Sequence, residues 1–217
     1  ASYRSEFRVM RQIAIPRDAF FFCSADWGSN APGCIHWWFD VGDGHWHIGL
    51  ELKFQHESVE AVAGKWHALN KSEELEAKCA AFVLDPACWT NAGDSIAVTF
   101  QRHKVPVVKG NNDRVNGWQR VHEILRLAPD GYPWVTIDAH RCPYLVRTLP
   151  LATSHAANPD DIDMADDHAL DDFRYGAMSG FVTRRSAGAR KAPPKPGSYA
   201  DWKARGQRAV TGVLTRR

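Results

Sequence analysis

The chain has 217 residues, and its 27 Lys and Arg side chains nearly balance 25 Asp and Glu, giving a formal net charge of +2. That balance hides an acidic body and a basic tail. Residues 1–183 carry 17 basic and 24 acidic side chains (net −7), whereas residues 184–217 carry 10 basic side chains and one acid (net +9). No apolar run is long enough to span a membrane, and no secretory signal is expected at the N-terminus.

The first half of the body predicts three strands followed by a helix. The first apolar run ends in an acid, Asp26, and is typical of a buried strand. The turn Gly42-Asp43-Gly44 then joins the next two strands as a β-hairpin, and Ser58 is a suitable N-cap for the helix. The predicted elements are strands at 19–26, 34–41 and 45–54 and a helix at 58–69.

The second half predicts alternating strands and helices. Its first strand again stops at an acid, here Asp85. The predicted elements are strands at 80–85, 106–109 and 134–138, helices at 94–103, 114–127, 143–149 and 166–181, and an acidic loop at 158–163. Three antiparallel strands followed by β-α units predict an α/β protein of the ribonuclease-H-like fold, with a mixed central sheet flanked by helices.

A change in composition marks the end of this body. Residues 1–183 form one predicted domain, whereas residues 184–217 form a basic tail rich in Pro, Gly and Ala that offers little to bury. The tail is therefore expected to be flexible, with a role in binding DNA or in docking to another protein.

Cysteine and histidine usage raises a zinc site as one alternative. The five cysteines are odd in number and form no C-x-x-C pair, which indicates a reducing compartment rather than a disulfide framework. Cys23, Cys34, His45 and His47 lack the tight spacings typical of structural zinc. The sequence therefore disfavours such a site without excluding it.

Acidic residues are placed where chemistry could use them. Asp26 and Asp85 end two apolar strands, and adjacent strands can bring such carboxylates together. A third acidic group begins the last predicted helix, where His168 also lies. Each acid also has a structural interpretation as a cap, and Asp138, at another strand end, is a reserve candidate. The acids of the helix start are Asp166, Asp167, Asp171 and Asp172, of which Asp166 and Asp172 are interpreted as capping or solvated.

Converging carboxylates repel one another unless a cation neutralises them. Oxygen-rich sites of this kind suit Mg²⁺ or Mn²⁺. Two such ions about 4 Å apart can activate water and stabilise the leaving oxygen of a phosphodiester. The pattern therefore indicates a two-metal nuclease that needs no nucleophilic Ser or Cys.

The body resembles the C-terminal nuclease domain of the large terminase subunit of tailed bacteriophages. The resemblance covers most of residues 19–182. It is carried by SADWGSNAPGCIHWWF at 24–39, FVLDPACW at 82–89, NDRVNGWQRVHEIL at 112–125, CPYLVRTLP at 142–150 and DDHALDDFRYGAMSG at 166–180. It implies a metal-dependent endonuclease that cuts concatemeric double-stranded viral DNA during genome packaging.

The resemblance also implies roles for individual residues. Asp26, Asp85 and Asp171 would be the catalytic metal ligands, with His168 as an auxiliary ligand. Asp167 competes with Asp171 for the place of the third acid. Alanine at Asp26, Asp85 or Asp171 is then predicted to abolish plasmid cutting in Mn²⁺ without unfolding the domain.

Intact large terminases also carry an ATPase motor, but this chain has no G-x-x-x-x-G-K-[ST] phosphate loop. We therefore expect it to be the nuclease part of a longer protein. The implied partners are DNA and, in the intact protein, the ATPase domain, the portal and the small terminase subunit. The implied location is the host cytoplasm, in the packaging motor rather than in the virion.

An acidic body needs local basic residues to approach DNA, since phosphate contacts set affinity. The candidates are Arg102, Lys104, Lys109, Arg114, Arg120 and the tail, in which Arg184 and Arg185 directly follow the last helix. Two alternatives remain open at this point: a nuclease of the Holliday-junction resolvase or transposase type, and a non-catalytic module that binds DNA or the portal.

Overall fold

The structure, a computed structural model, describes residues 13–28, 31–90, 95–154, 162–163 and 168–182. Six strands form one mixed sheet: β1 (Phe21–Asp26), β2 (Gly33–Gly42), β3 (His45–Phe54), β4 (Phe82–Leu84), β5 (Val107–Lys109) and β6 (Val135–Ile137). Their order across the sheet is β5-β4-β1-β2-β3-β6. The strands β1, β2 and β3 are antiparallel, while β4 and β5 run parallel to β1. This is the predicted ribonuclease-H-like order, extended by β6 beside β3.

Five α-helices are described, and each corresponds to a predicted one. They are α1 (Val59–Ser72), α2 (Ile96–Arg102), α3 (Arg114–Ile124), α4 (Pro143–Thr148) and α5 (His168–Met178). The predicted cap is confirmed, because the Ser58 side chain accepts a hydrogen bond from the Ala61 N–H. No helix in these described segments is long and apolar enough to cross a membrane.

The prediction of an acidic loop at 158–163 is wrong for its last two residues. Residues Ile162–Asp163 form a short strand, β8, that pairs with β7 at Thr153–Ser154. Strand pairing uses main-chain N–H and C=O groups, so an acidic composition does not prevent it. Residues 158–161 lie outside the described part of the chain.

The two faces of the sheet bury separate clusters. Side chains of a strand alternate between faces, so neighbouring residues of β1 and β2 enter different cores. One face, which includes Phe22, Trp38 and Val83, packs against side chains of α3, α4 and α5. The other face, which includes Cys23 and Trp37, packs against side chains of α1 and α2. The helix α5 therefore lies on the same face as the even-numbered positions of β1.

Gly176 allows α5 to approach the sheet closely. A Cβ atom there would lie 2.3 Å from Cζ2 of the fully buried Trp38. We expect Gly176→Ala to lower the free energy of unfolding by about 1–3 kcal/mol, because overpacking outweighs the gain in helix propensity. Urea unfolding measures this difference.

The matched control is Gly64→Ala in α1, where an added Cβ meets nothing within 4 Å. That substitution should raise stability by up to about 1 kcal/mol. Equal gains at both glycines would contradict the close contact between α5 and β2.

Candidate functional site

Two carboxylates lie together at one edge of the sheet. Ala25 of β1 pairs with Leu84 of β4, so the next residues, Asp26 and Asp85, follow adjacent parallel strands at the same end. The main-chain N–H of Asp85 also donates to the Ala25 carbonyl at 3.1 Å. Strand alternation directs the Asp26 side chain to the face covered by α5. The strand ends thus meet as the sequence predicted.

The start of α5 crosses this edge. His168, the first residue of the helix, contacts Asp26 through its Nδ1 and the carboxylate Oδ2, although 142 residues separate them in sequence. Asp171 lies one turn later. Asp166 and Asp167 lie outside the described residues, whereas the described Asp171 is one of the charges that act on Asp26.

Electrostatics indicate that the acids lie close together. Burial raises the pKa of Asp26 to about 7, the negative charges of Asp85 and Asp171 act in the same direction, and His168 opposes them. Burial also raises the pKa of the Tyr175 hydroxyl, and the same three carboxylates add to that effect. A site of this kind gains stability from a bound cation.

Asp85 has the capping role that the sequence offered as one of its two interpretations. Its Oδ1 accepts from the N–H of Ala87 at 3.0 Å and so caps the short 3₁₀ helix at Pro86–Trp89. The Tyr175 hydroxyl also donates to it at 3.3 Å. A carboxylate has about four lone-pair positions, so capping does not prevent it from binding a metal ion.

Two arginines hold Asp171. The Arg114 Nη1 donates to its Oδ2 at 3.0 Å, and the Arg174 Nε donates to its Oδ1 at 3.0 Å. Arg174 is fully buried, and its Nη2 also donates to Asn112 at 3.2 Å. The sequence motif at 166–180 suggested Asp171 as a ligand. It gave no indication that Arg174, three residues later, is the buried partner of Asp171.

The other basic residues predicted to bind DNA lie towards two opposite edges of the sheet. Lys109 pairs with Leu84 at the end of β5 and is exposed, so it lies at the same edge as the carboxylates. Arg102 and Lys104 precede β5 and therefore lie towards the opposite edge. Arg184 and Arg185 lie outside the described residues. Lys109 and Arg114 are thus the described candidates nearest to the acids.

The reserve acid Asp138 has a different place. It follows β6, three strands from β1, which corresponds to about 14 Å at the usual strand spacing. Its Oδ1 accepts from the N–H groups of His140 and Arg141, so it stabilises the turn that follows β6. The structure therefore separates Asp138 from Asp26 and Asp85.

The cysteines and histidines considered for zinc also separate. His45 contacts Asp130 and the Pro133 carbonyl, and His47 contacts Thr136. Cys23 accepts from the Trp66 indole N–H. Cys34 instead faces α5, so these four residues form no common site.

The sequence missed a buried polar cluster beneath α5. Asp172 has no exposed surface and lies against His36 and Cys34, so its interpretation as a capping or solvated residue is wrong. Burial alone would lower the pKa of His36, but the carboxylates of Asp172 and Glu51 outweigh it and raise that pKa to about 10. The available clue was that Cys34 and His36 share one face of an apolar strand.

The donor sets differ in compactness. A metal ion can be held by three or more His, Cys, Asp or Glu side chains whose ligand atoms lie close together. In the described part of the chain, one such group has all its ligand atoms within 4.8 Å of one another, and it consists of Cys34, His36 and Asp172. The oxygens of Asp26, Asp85 and Asp171 are therefore more widely spread. A pair of metal ions is bound by ligands around two centres, so this spread does not argue against a two-metal site.

Comparisons with solved structures identify the same architecture elsewhere. The P22 large terminase nuclease domain superposes with a TM-score of 0.63 at 16% identity, covering 86% of this chain and 94% of that one. The large terminase nuclease of the thermophilic phage G20c with bound cobalt gives a TM-score of 0.55 at 14% identity, covering 81% and 95%. No protein-family model and no curated protein sequence matches the chain.

A longer relative gives the same result. The large terminase of the thermophilic bacteriophage D6E matches with a TM-score of 0.63 at 16% identity over 82% of this chain. The chain covers 44% of that protein's length. At these identities the likeness establishes the fold, and the predicted ribonuclease-H-like fold is confirmed.

Proposed function

We propose that the chain is the nuclease part of a large terminase, a metal-dependent endonuclease that cuts double-stranded DNA. One observation carries the proposal: Asp26 and Asp85 end adjacent parallel strands, and α5 brings His168 and Asp171 across that edge. The fold shared with terminase nuclease domains supports it. The structures of the G20c nuclease with zinc and with cobalt support a divalent cation.

The residues that would hold Mg²⁺ or Mn²⁺ are Asp26, Asp85 and Asp171, with His168 and Asp167 as further candidates. Their donor atoms are mainly carboxylate oxygens, which suit these hard cations. Burial and the neighbouring charges of Asp85 and Asp171 raise the pKa of Asp26, which supports the fit because a bound cation would favour the ionised carboxylate. When bound, two such ions supply a nucleophilic water and stabilise the leaving oxygen.

The chain's own residues hold this site in place. The Tyr175 hydroxyl and the Ala87 N–H fix the Asp85 carboxylate from two directions. Arg114 and Arg174 hold Asp171 at the side of the cluster. Lys109, exposed at the same edge, is suited to a DNA phosphate. Arg102, Lys104, Arg184 and Arg185 would add phosphate contacts farther away.

In the intact protein, we propose that this domain works beside an ATPase domain and cuts concatemeric DNA during packaging in the host cytoplasm. The portal and the small terminase subunit are the partners that such a role implies. The tail at 184–217, with its net charge of +9, would attach the acidic body to the polyanion that it cuts.

Removal of metal tests the proposed chemistry. Supercoiled plasmid incubated with the chain and Mn²⁺ should be converted to nicked and linear forms, and excess EDTA should stop the reaction because the carboxylates lose their cations. Agarose electrophoresis measures the products, and added Mn²⁺ should restore cutting after EDTA treatment.

Three outcomes would contradict this proposal. Cutting that persists unchanged in EDTA would exclude metal-dependent hydrolysis. DNA binding without any cutting in Mn²⁺ or Mg²⁺ would favour the non-catalytic module. Strong preference for a four-way junction over linear duplex would instead indicate a resolvase.

A further inference from the structure

A row of buried charges lies beneath the candidate metal site. His36 of β2 has its Nδ1 2.5 Å from Asp172 Oδ2 and its Nε2 2.9 Å from Glu51 Oε2. The side chains of His36 and Asp172 have no exposed surface, and that of Glu51 is 3% exposed. One imidazole thus lies between two carboxylates that water does not reach. We call these three residues the His36 clamp.

Both ends of the His36 clamp are anchored. Glu51 accepts hydrogen bonds from the main-chain N–H groups of Tyr144 and Leu145, each at 2.8 Å, at the start of α4. Asp172 accepts from the Cys34 thiol at 3.3 Å. The clamp therefore connects α5 to β2, to β3 and to α4 through continuous polar contacts.

The position of His36 explains why two buried carboxylates are tolerated here, because its imidazole contacts both of them. Buried charges are costly unless they are paired and hydrogen-bonded. Such a network adds little net stability compared with an apolar core, but it can fix one arrangement of the elements that it connects. The expected contribution of the clamp is therefore to position α5.

The neighbour of Asp172 in sequence is Asp171, a candidate metal ligand. Consecutive residues of an α-helix differ by about 100° around the axis. With Asp172 directed at His36, Asp171 is turned to the side, where Arg114 and Arg174 hold it near Asp26 and Asp85. Rotation of α5 would move both acids together. The orientation of one acid thus sets the orientation of the other.

We propose that His36 is a positioning residue, which holds α5 at the rotation that directs Asp171 to the metal site. This inference rests on the proposed metal-dependent function of that site. It assigns His36, Asp172 and Glu51 to the support of the metal ligands rather than to contact with metal or DNA.

The test compares His36→Gln with His47→Gln. His47 is also fully buried in the sheet, but its Nδ1 lies 2.9 Å from the Thr136 hydroxyl rather than between carboxylates. Both variants should lose stability. Only His36→Gln should raise the Mn²⁺ concentration for half-maximal plasmid cleavage, by roughly 10- to 100-fold, as is usual for groups that orient metal ligands. The isosteric Asp172→Asn should raise the same Mn²⁺ concentration, and it replaces His36→Gln in the test if that variant folds poorly.

Amide hydrogen exchange of the metal-free protein gives a second readout that does not depend on nuclease activity. Residues 168–178 should exchange faster in His36→Gln than in His47→Gln, because the clamp no longer restrains α5. If neither the wild type nor the variants use Mn²⁺, the proposed function fails, and the exchange of α5 still decides whether the clamp positions this helix.

Three results would overturn the inference. The first is α5 exchange that is equal in the two variants. The second is an unchanged Mn²⁺ requirement in both His36→Gln and Asp172→Asn when wild type is active. The third is stoichiometric zinc in the purified protein that is lost in Cys34→Ser, because Cys34, His36 and Asp172 would then be metal ligands.

Discussion

Alanine at Asp26 or at Asp85 is expected to lower the rate of Mn²⁺-dependent plasmid cleavage by at least about 10³-fold, because each carboxylate supports several kcal/mol of charge stabilisation through the metal. The fold should persist in both variants. Asp26 lies in a crowded negative site, so its removal relieves repulsion, and loss of the Asp85 cap costs about 0.5–2 kcal/mol. Single-turnover cleavage and thermal unfolding measure the two effects separately.

Asp18→Ala is the matched control for these variants. Asp18 is exposed and precedes β1, at the end of the strand opposite Asp26. The Asp18→Ala protein should cut plasmid at the wild-type rate. It should also bind Mn²⁺ as the wild type does, which isothermal titration measures. Full cutting by both the Asp26→Ala and the Asp85→Ala proteins would remove the basis of the proposed site.

Asp171→Ala is expected to behave differently, with a loss of about 3–5 kcal/mol in the free energy of unfolding. The reason is Arg174, which is fully buried and donates through its Nε to Asp171. Without that carboxylate the guanidinium keeps its buried charge and retains Asn112 as a polar contact. Urea unfolding followed by circular dichroism measures the loss.

The double variant Asp171→Ala/Arg174→Met separates the buried charge from the site chemistry. It should recover much of the lost stability, because both charged partners are removed, yet it should stay inactive. An Asp171→Ala protein as stable as wild type would contradict the buried pair. The expectation from sequence, that alanine at Asp171 leaves the domain folded, is therefore replaced by a large loss of stability that is recovered only when Arg174 is also substituted.

The fold was largely predictable because its patterns are local. The apolar alternation of β3 and the helical spacing in α1 depend on residues a few positions apart, and both elements lie where they were predicted. The turn Gly42-Asp43-Gly44 was also predicted, and all three residues have positive φ, as a tight hairpin requires. The strand β8 was missed because two residues carry too short a pattern to recognise.

The candidate site was predictable in part. Asp26 and Asp85 were identified because each ends an apolar strand, and strand ends of a parallel pair meet at one edge. His168 was suggested by the resemblance, and the structure places it against Asp26. The basic residues were not separable from sequence, since Lys109 and Lys104 are five positions apart but lie towards opposite edges of the sheet.

The sequence by itself determined the order of strands and helices, the two strand-end acids and the acidic start of α5, because these depend on periodicity and local composition. Only the tertiary structure decided which acid of α5 lies beside the candidate metal site and which lies in the core. Asp171 and Asp172 are identical in type and adjacent in sequence, so no local pattern distinguishes them. Their roles follow from partners far away in the chain, Arg114 for one and His36 for the other, and such pairs form only when α5 packs on the sheet.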